Sequence, residues 1–486
     1  MNNIDERLLR LGAAVPEILL PQPDIDIGKW AVIACDQFTQ DRNYWEKAKN
    51  AAGASPSALN LIFPEIFLSD EYRGRRIADI HKTMEAYLRE GVFAPPRRGC
   101  VYLERTTPFH RGRRGFVMAV DLERYEWAGG RALIRSTEGT APERLPPRMD
   151  IRRSAPLETP HILLLIDDDA DSLLPGLAER VKKSPPAYRG GLMLDSGDIS
   201  GWFIDSGESL AFLAEGLEAL ADRARTRYPP GAADETAPAD SASAGAGGAL
   251  SPGGPSPFLF AVGDGNHSLA SAKEIWEEYK KNRGAHNTAL PDHPLRYALV
   301  EVENIYDPAI QFEPIHRVLF NAAFDEILDL LAGLPGFSCR PAANRAELAR
   351  LTAEPSPATR FGLVSGGRYA LVETEAAGLA TVSLQPLLDE FIRKRTAGAG
   401  KGGVPSIDYI HGEDAVFRLA ETESGGKNGA PEKNAGRPAV GILLPPVNKA
   451  GLFETVARSG PLPRKSFSMG EALEKRFYLE CRKLFV

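Results

Sequence analysis

Apolar and polar positions along this chain alternate in a way that marks short buried strands and amphipathic helices in mixed order. Residues 30–35 are almost all apolar and read as a buried strand that ends at Asp36, with a helix expected from about Asn43. Ile77, Ile80, Met84 and Leu88 share one face of a helix expected over 77–90. Strands are expected at 101–104, 115–120, 132–135 and 161–166, the last apolar enough to be central. An amphipathic helix is expected over 210–227. Next come a strand at 258–262, a glycine loop, and a helix from about Ser268 to Lys281. The remaining pattern predicts a strand at 297–302, helices near 324–334 and 384–394, a strand at 439–444, and a helix from near Gly470 toward the end.

This order predicts an α/β fold of the mixed, α+β kind, with mixed sheets and flanking helices. A chain of 486 residues exceeds one ordinary core. The expected organisation is an N-terminal α/β region over 1–228, an insertion over 229–257, a strand–glycine loop–helix core segment over 258–320, and a C-terminal α/β region over 321–486. The insertion is dominated by Pro, Gly, Ala and Ser, with Leu250 its one large apolar residue. It cannot bury enough surface to offset the entropy of ordering and is expected to be a disordered surface segment. Shorter segments at 397–404 and 421–437 read the same way.

Composition narrows the functional classes. Hydrophobic content of 43% and charged content of 25% describe an ordinary globular chain. A net charge of −7 argues against a broad nucleic-acid-binding face. No apolar run approaches the roughly 18 residues of a membrane span. The first residues lack the basic-then-apolar order of a signal peptide. Cys35, Cys100, Cys339 and Cys481 lie far apart and form no CxxC pair, so neither a zinc ribbon nor a dithiol redox site is indicated. A cytoplasmic protein that takes a small-molecule substrate is the expectation. Oligomeric state is not legible.

The chemistry concentrates in Gly263-Asp264-Gly265-Asn266-His267-Ser268, where a buried strand runs through two glycines into a helix. Gly263 and Gly265 allow a ligand to approach the main chain, and free N–H groups at a helix start attract phosphate. Asn266 or Ser268 caps the helix when no ligand is bound. His267 can donate to a phosphate oxygen; Asp264 can hold magnesium, position a hydroxyl or act as a base. The same letters also describe an empty capped turn, and the local pattern leaves both accounts open.

That segment resembles the Ala-Asp-Gly-His-His-Arg signature of the prokaryotic domain-of-unknown-function family 1015. Other landmarks follow in the family's order. Ala34-Cys35-Asp36-Gln37-Phe38 stands where the family has Ala-Pro-Pro-Tyr-Asp. Thr137-Glu138-Gly139-Thr140 resembles its His-Glu-x-Thr segment, Pro314-Ile315-His316-Arg317 its Pro-Thr-His-Arg motif, and Pro463-Arg464-Lys465-Ser466 its Pro-x-Lys-Ser element. Asn266 and Ser268 replace a His and an Arg of the signature, so this is a divergent branch, and position 268 has lost a bidentate phosphate donor.

A more distant resemblance links the loop to free-serine kinases of the ParB/sulfiredoxin fold. It implies a nucleotide-binding core, ATP or ADP with magnesium, and an acidic base from an early strand–loop, here Asp36. On this reading the chain is a nucleotide-dependent phosphotransferase for a small hydroxyl-bearing metabolite, with an amino acid such as serine as one candidate. Gly263, Gly265, Asn266, His267, Ser268, His316, Arg317 and Lys465 contact phosphate or nucleotide. Asp36, Asp264 and Glu138 are the catalytic candidates, and Asp264 the magnesium ligand. The alternatives are a nucleotide or phosphometabolite sensor without turnover, and a phosphoester hydrolase. Two acidic groups converging on the glycine loop favour an enzyme. His161 reads as a hydrogen-bonded strand-end residue, the run from Asp167 to Asp171 as a solvated loop with helix-capping carboxylates, and His286 and His293 show no metal spacing.

Overall fold

A computed structural model describes residues 3–228, 257–283, 292–376, 378–397, 404–421 and 438–485. Nearly all of the segment 229–257, and most of 397–404 and 421–437, lies outside the described residues, as does His286. The chain divides into two compact units. The first comprises residues 1–311, 456–461 and 469–486; the second comprises 312–455 and 462–468. Both are mixed α/β.

The first unit is built on a ten-stranded sheet. Its main strands are β1 (Cys100–Arg105), β2 (Arg113–Asp121), β3 (Ile134–Ser136), β4 (Leu163–Ile166), β5 (Tyr188–Gly191), β6 (Asp198–Ile204), β7 (Phe260–Asp264) and β8 (Tyr297–Asn304). They lie side by side in the order β5-β6-β1-β2-β8-β4-β7-β3, with Tyr125–Glu126 beyond β3. The pairs from β5 through β8 are antiparallel. β4 runs parallel to β8 and antiparallel to β7, and β7 runs parallel to β3. The central strands are buried on both faces, so β4 reads as an unbroken Leu-Leu-Leu-Ile run.

Six helices of this unit are α1 (Arg42–Ala52), α2 (Arg73–Arg89), α3 (Leu145–Arg152), α4 (Leu173–Val181), α5 (Gly207–Arg227) and α6 (Asn266–Arg283). Polar side chains set their starts. Asp41 accepts from Tyr44 N at α1, and Ser206 from Ser209 N at α5. In the acidic run, Asp168 accepts from Ser172 N and Leu173 N at the head of α4 (2.8 and 2.9 Å), while Asp167 and Asp169 pair with Arg227.

The second unit has a sheet built from β9 (Phe312–Phe320), β10 (Ser338–Pro341), β11 (Thr359–Ser365), β12 (Arg368–Thr374), β13 (Ser406–His411) and β14 (Ala439–Leu443), in the order β10-β12-β11-β14-β9-β13. Helices α7 (Phe324–Leu331), α8 (Arg345–Ala353), α9 (Ala380–Ala397) and α10 (Glu413–Glu421) accompany it.

Two expectations are corrected. Residues 30–35 are not one strand. Asp26 accepts from Gly28 N (2.9 Å) and starts a helical turn, Ile27–Trp30, so the strand shrinks to Val32–Ile33, paired with Phe477–Tyr478. No long helix follows Gly470 either. A short 3-10 turn, Ala472–Glu474, leads into the extended pairs Phe477–Tyr478 and Arg482–Lys483. The cause is non-local: Arg105 donates to Leu473 O, Glu474 O and Lys475 O, and Arg113 to Glu474 O. Those guanidiniums take the carbonyls that an α-helix would need for its own N–H groups.

Candidate functional site

Parallel pairing of β3 with β7, in the register Val262↔Ser136, releases both strands into loops on the same edge of the sheet. The loop after β3 therefore meets the glycine loop after β7. Thr137 Oγ1 donates to Val262 O. Ser136 Oγ reaches Glu138 O at 2.7 Å and also Asn266 Oδ1. Ala141 N donates to His267 Nε2 at 3.3 Å. Two landmarks more than a hundred residues apart are thus one structure, with half-buried Glu138, Asn266 and His267 at their junction.

The glycines have packing reasons of their own. A Cβ on Gly263 would stand 2.5 Å from Met469 Sδ and 3.0 Å from Leu165. Gly265 has φ +80°, and its Cβ would meet Ile162 Cα at 3.1 Å. Gly265 O accepts from both Ser268 N and Leu269 N (3.0 Å each), which fixes the start of α6. Asp264 Oδ1 accepts from Gly265 N at 3.0 Å, and its Oδ2 faces Lys475 Nζ at 3.4 Å.

Behind this loop lies a cluster that the sequence did not single out as a site. Ser268 Oγ is 2.7 Å from His161 Nε2, and His161 Nδ1 is 3.0 Å from the Tyr478 hydroxyl, which accepts from Cys35 N. Asp36 follows Cys35 and takes a hydrogen bond from Gln37 Nε2 at 3.0 Å. Burial pushes the Asp36 carboxyl upward. His161, the Gln37 hydrogen bond, Lys475 and Arg148 together outweigh it and hold the group below the usual carboxylate range. Glu65 behaves oppositely: burial raises it, Arg148 pulls it down, Asp36 adds to the rise, and the net direction is up. Arg148 pairs with Glu65 and donates to Arg144 O at 2.7 Å. A cleft of about 130 Å³ opens here, with Glu65, Arg148, His161, Ser268 and Tyr478 on its wall.

The first unit thus gathers Asp36 with His161, Lys475 and Arg148, and Asp264 with Lys475. A divalent cation needs several oxygen ligands. Asp264 offers one carboxylate, already engaged by a backbone N–H and an ammonium, and is a poor seat for magnesium by itself. Among the described residues, no group of three His, Cys, Asp or Glu side chains is arranged to hold a metal ion. Also among them, no helix is long and apolar enough to cross a membrane.

His316, Arg317 and Lys465 belong to the second unit. His316 is buried on β9, and its Nδ1 accepts from Leu444 N at 3.0 Å. Burial, with Arg317 and His411 nearby, lowers it to about 4, so its ring is neutral at neutral pH. Arg317 is fully buried, donates to Gln385 Oε1 (3.0 Å) and Ile315 O, and stacks over Tyr409 at 4.7 Å. Lys465 is an exposed residue of a turn, with φ +60°.

Sequence reasoning missed Lys475, Tyr478, Arg148 and Glu65, and gave His161 a structural role. Lys475 and Tyr478 sit in the segment read as helix. Arg148 carried no motif.

A family model described as "Protein of unknown function (DUF1015)" matches residues 17–391. Among the curated proteins none matches. Solved structures resemble the chain at low identity. A mutant free serine kinase in complex with AMP shows 11% identity and a TM-score of 0.35, covering 76% of this chain and 92% of that one. SbnI with a C-terminal truncation, from Staphylococcus aureus, shows 10% identity and a TM-score of 0.33, covering 76% and 87%. A conserved hypothetical protein from Pyrococcus furiosus shows 12% identity and a TM-score of 0.25, covering 46% and 71%.

Proposed function

The chain belongs to the DUF1015 family, whose function is unknown, and from that premise we propose that it is a nucleotide-dependent phosphotransferase acting on a small hydroxyl-bearing metabolite. One observation carries this reading. Asp36 is a carboxylate held ionised by His161, Lys475 and Arg148, and the same Lys475 lies against Asp264 at the loop that opens α6. Two acidic groups under the influence of one lysine, Asp264 in contact with it and Asp36 within its field, suit an enzyme better than a phosphate sensor.

In the proposed reaction ATP or ADP is the phosphoryl donor. Its phosphates lie toward the start of α6, where the partial positive charge of a helix N-terminus favours an anion. The acceptor hydroxyl oxygen forms a bond to the terminal phosphorus as the bridging P–O bond breaks. The hydroxyl proton passes to Asp36, and the shortened nucleotide leaves with the electron pair. Lys475 and Arg148 offset the charge on the transferring group, which is the main task of a protein in this chemistry.

A second reading has its own support. Ser268 Oγ and His161 Nε2, at 2.7 Å, form a nucleophile–base pair whose base is held from its other nitrogen by Tyr478. That arrangement suits a phosphoester hydrolase with Ser268 as nucleophile.

The test is label transfer from ATP carrying a radioactive terminal phosphate to a mixture of hydroxylated metabolites, with and without magnesium. Transfer by the wild type and none by Asp36→Asn supports the phosphotransferase. Release of inorganic phosphate from phosphoesters that is lost in Ser268→Ala supports the hydrolase. The absence of any thermal shift with nucleotides, together with no transfer, overturns the first reading.

A further inference from the structure

The cleft beside His161 is walled on most sides by carbon: Ile62, Phe63, Met84, Ile151, Leu157 and Leu299 all line it. Arg148 and Arg152, four residues apart on α3 and so on one helical face, are its arginines. Their partners differ. Arg148 is matched by Glu65. Arg152 reaches Glu158 Oε2 through Nη1 at 2.6 Å, but its Nε and Nη2 are buried without any hydrogen-bond partner. Glu158 is itself shared: its Oε1 accepts from Arg482 Nε at 2.7 Å and from Leu299 N at 3.0 Å. Two guanidiniums therefore divide one carboxylate, leaving an uncompensated positive charge at the wall of an apolar cleft.

Buried polar atoms are nearly always paired, so two unsatisfied N–H groups on one side chain call for an acceptor. Nε and Nη2 form the edge of a guanidinium that grips a carboxylate with two parallel hydrogen bonds. We infer that this cleft binds a small carboxylic acid with a compact apolar body, its carboxylate on the Nε–Nη2 edge of Arg152. The edge has no accessible surface in this conformation, so binding requires the Arg152 guanidinium to turn toward the cleft and release Glu158, which keeps its hydrogen bond from Arg482. The volume, about 130 Å³, is close to the roughly 150 Å³ that accommodates a benzene-sized molecule. It suits an acid of about six carbons in all, with a branched apolar body; a ligand no larger than serine leaves most of the carbon wall uncovered. The inference names the acceptor class of the site proposed above. It rests on that reading only for which group reacts, and the binding stands by itself.

Calorimetric titration of the full chain with α-hydroxyisocaproate and with its carboxamide, without nucleotide, tests the binding. The acid is expected to bind about tenfold or more tighter than the amide, because the amide forfeits the charge-assisted pair. Arg152→Lys keeps a cation for Glu158 but has no two-toothed edge. It is expected to lose about tenfold in affinity for the acid while its melting temperature stays within about 2 °C of wild type. Failure of the wild type to bind the acid, equal affinity for acid and amide, or equal affinity in Arg152→Lys overturns the proposal. Binding of the acid without phosphoryl transfer to it or to any other hydroxyl removes the phosphotransferase reading and leaves this one standing; transfer to other hydroxyl compounds with no binding of the acid does the reverse.

Discussion

His161 stands between Ser268, 2.7 Å from its Nε2, and Tyr478, 3.0 Å from its Nδ1, and it is the largest influence holding the Asp36 carboxyl low against burial. Removing it has a directional consequence. In His161→Ala the Asp36 carboxyl moves up toward the ordinary carboxylate range. A base works only above its own pKa, so the acid limb of the pH profile of kcat/KM shifts to higher pH. Ser268→Ala leaves that limb in place under the phosphotransferase reading and abolishes turnover under the hydrolase reading. Rate measurements from about pH 2.5 to pH 8 on the three proteins, a window that spans the ordinary carboxylate range, separate these outcomes.

Asp36→Asn keeps the shape of the side chain and removes the proton acceptor. Turnover is expected to fall by about a hundredfold or more, as for other general bases. Nucleotide affinity is expected to hold or rise, since a negative charge near the phosphates has gone. Steady-state rates with calorimetric titration of ATP check this. Equal losses in both place Asp36 in binding rather than in the reaction.

The fold and the site were legible where their causes are local. The apolar run 258–262, the two glycines and the helical spacing of Leu269, Ala272, Ile275 and Trp276 were enough to place β7, the loop and α6. Asp36 stood out because it ends an apolar run. The partners of Asp36 were illegible for a physical reason. Lys475 reaches the site because Arg105 and Arg113 seize the carbonyls of residues 473–475, about 370 positions away in sequence. No periodicity within residues 470–484 records that capture, so the segment reads as a helix. Residues 30–35 show the converse. Their burial was read correctly, but the cap at Asp26 turns the first of them into helix. Arg317 carried a motif, whereas its neighbours Gln385 and Tyr409 come from a distant helix and strand.

The glycine loop makes a stability prediction that needs no ligand. Gly263→Ala places a methyl group 2.5 Å from Met469 Sδ and against Leu165. Overpacking of this kind costs about 1–3 kcal/mol. Gly265→Ala forces a side chain onto φ +80° beside Ile162, at a cost of about 1–2 kcal/mol. Urea unfolding of the ligand-free protein should show both losses. Wild-type stability in either variant means that the glycine serves ligand approach alone.

Glu303 supplies a pH dependence with a definite sign. It is fully buried on β8, two residues from Glu301, and paired with Arg113. Burial is the largest influence, and Glu301 adds to it against the pull of Arg113, so the carboxyl is pushed up to about 8. Glu301 is held low, since Arg476, Arg113 and Arg105 outweigh its own burial. An unfolded glutamate titrates near about 4.3. Between that value and about 8 the native state therefore binds more protons than the unfolded state, and stability falls as pH rises. This contribution is complete below the unfolded value and is lost as pH climbs through the folded one. Glu303→Gln fixes the protonated shape, and Arg113 keeps its hydrogen bond to Glu474 O. Measurements that stop at about pH 8 leave Arg105 charged, because burial lowers it only to about 9. From about pH 5.5 to about pH 8 the wild-type free energy of unfolding should drop by at least about 1 kcal/mol, and that of Glu303→Gln by less than half as much. Equal slopes in the two proteins would mean that Glu303 is ionised throughout and that Arg113 outweighs its burial.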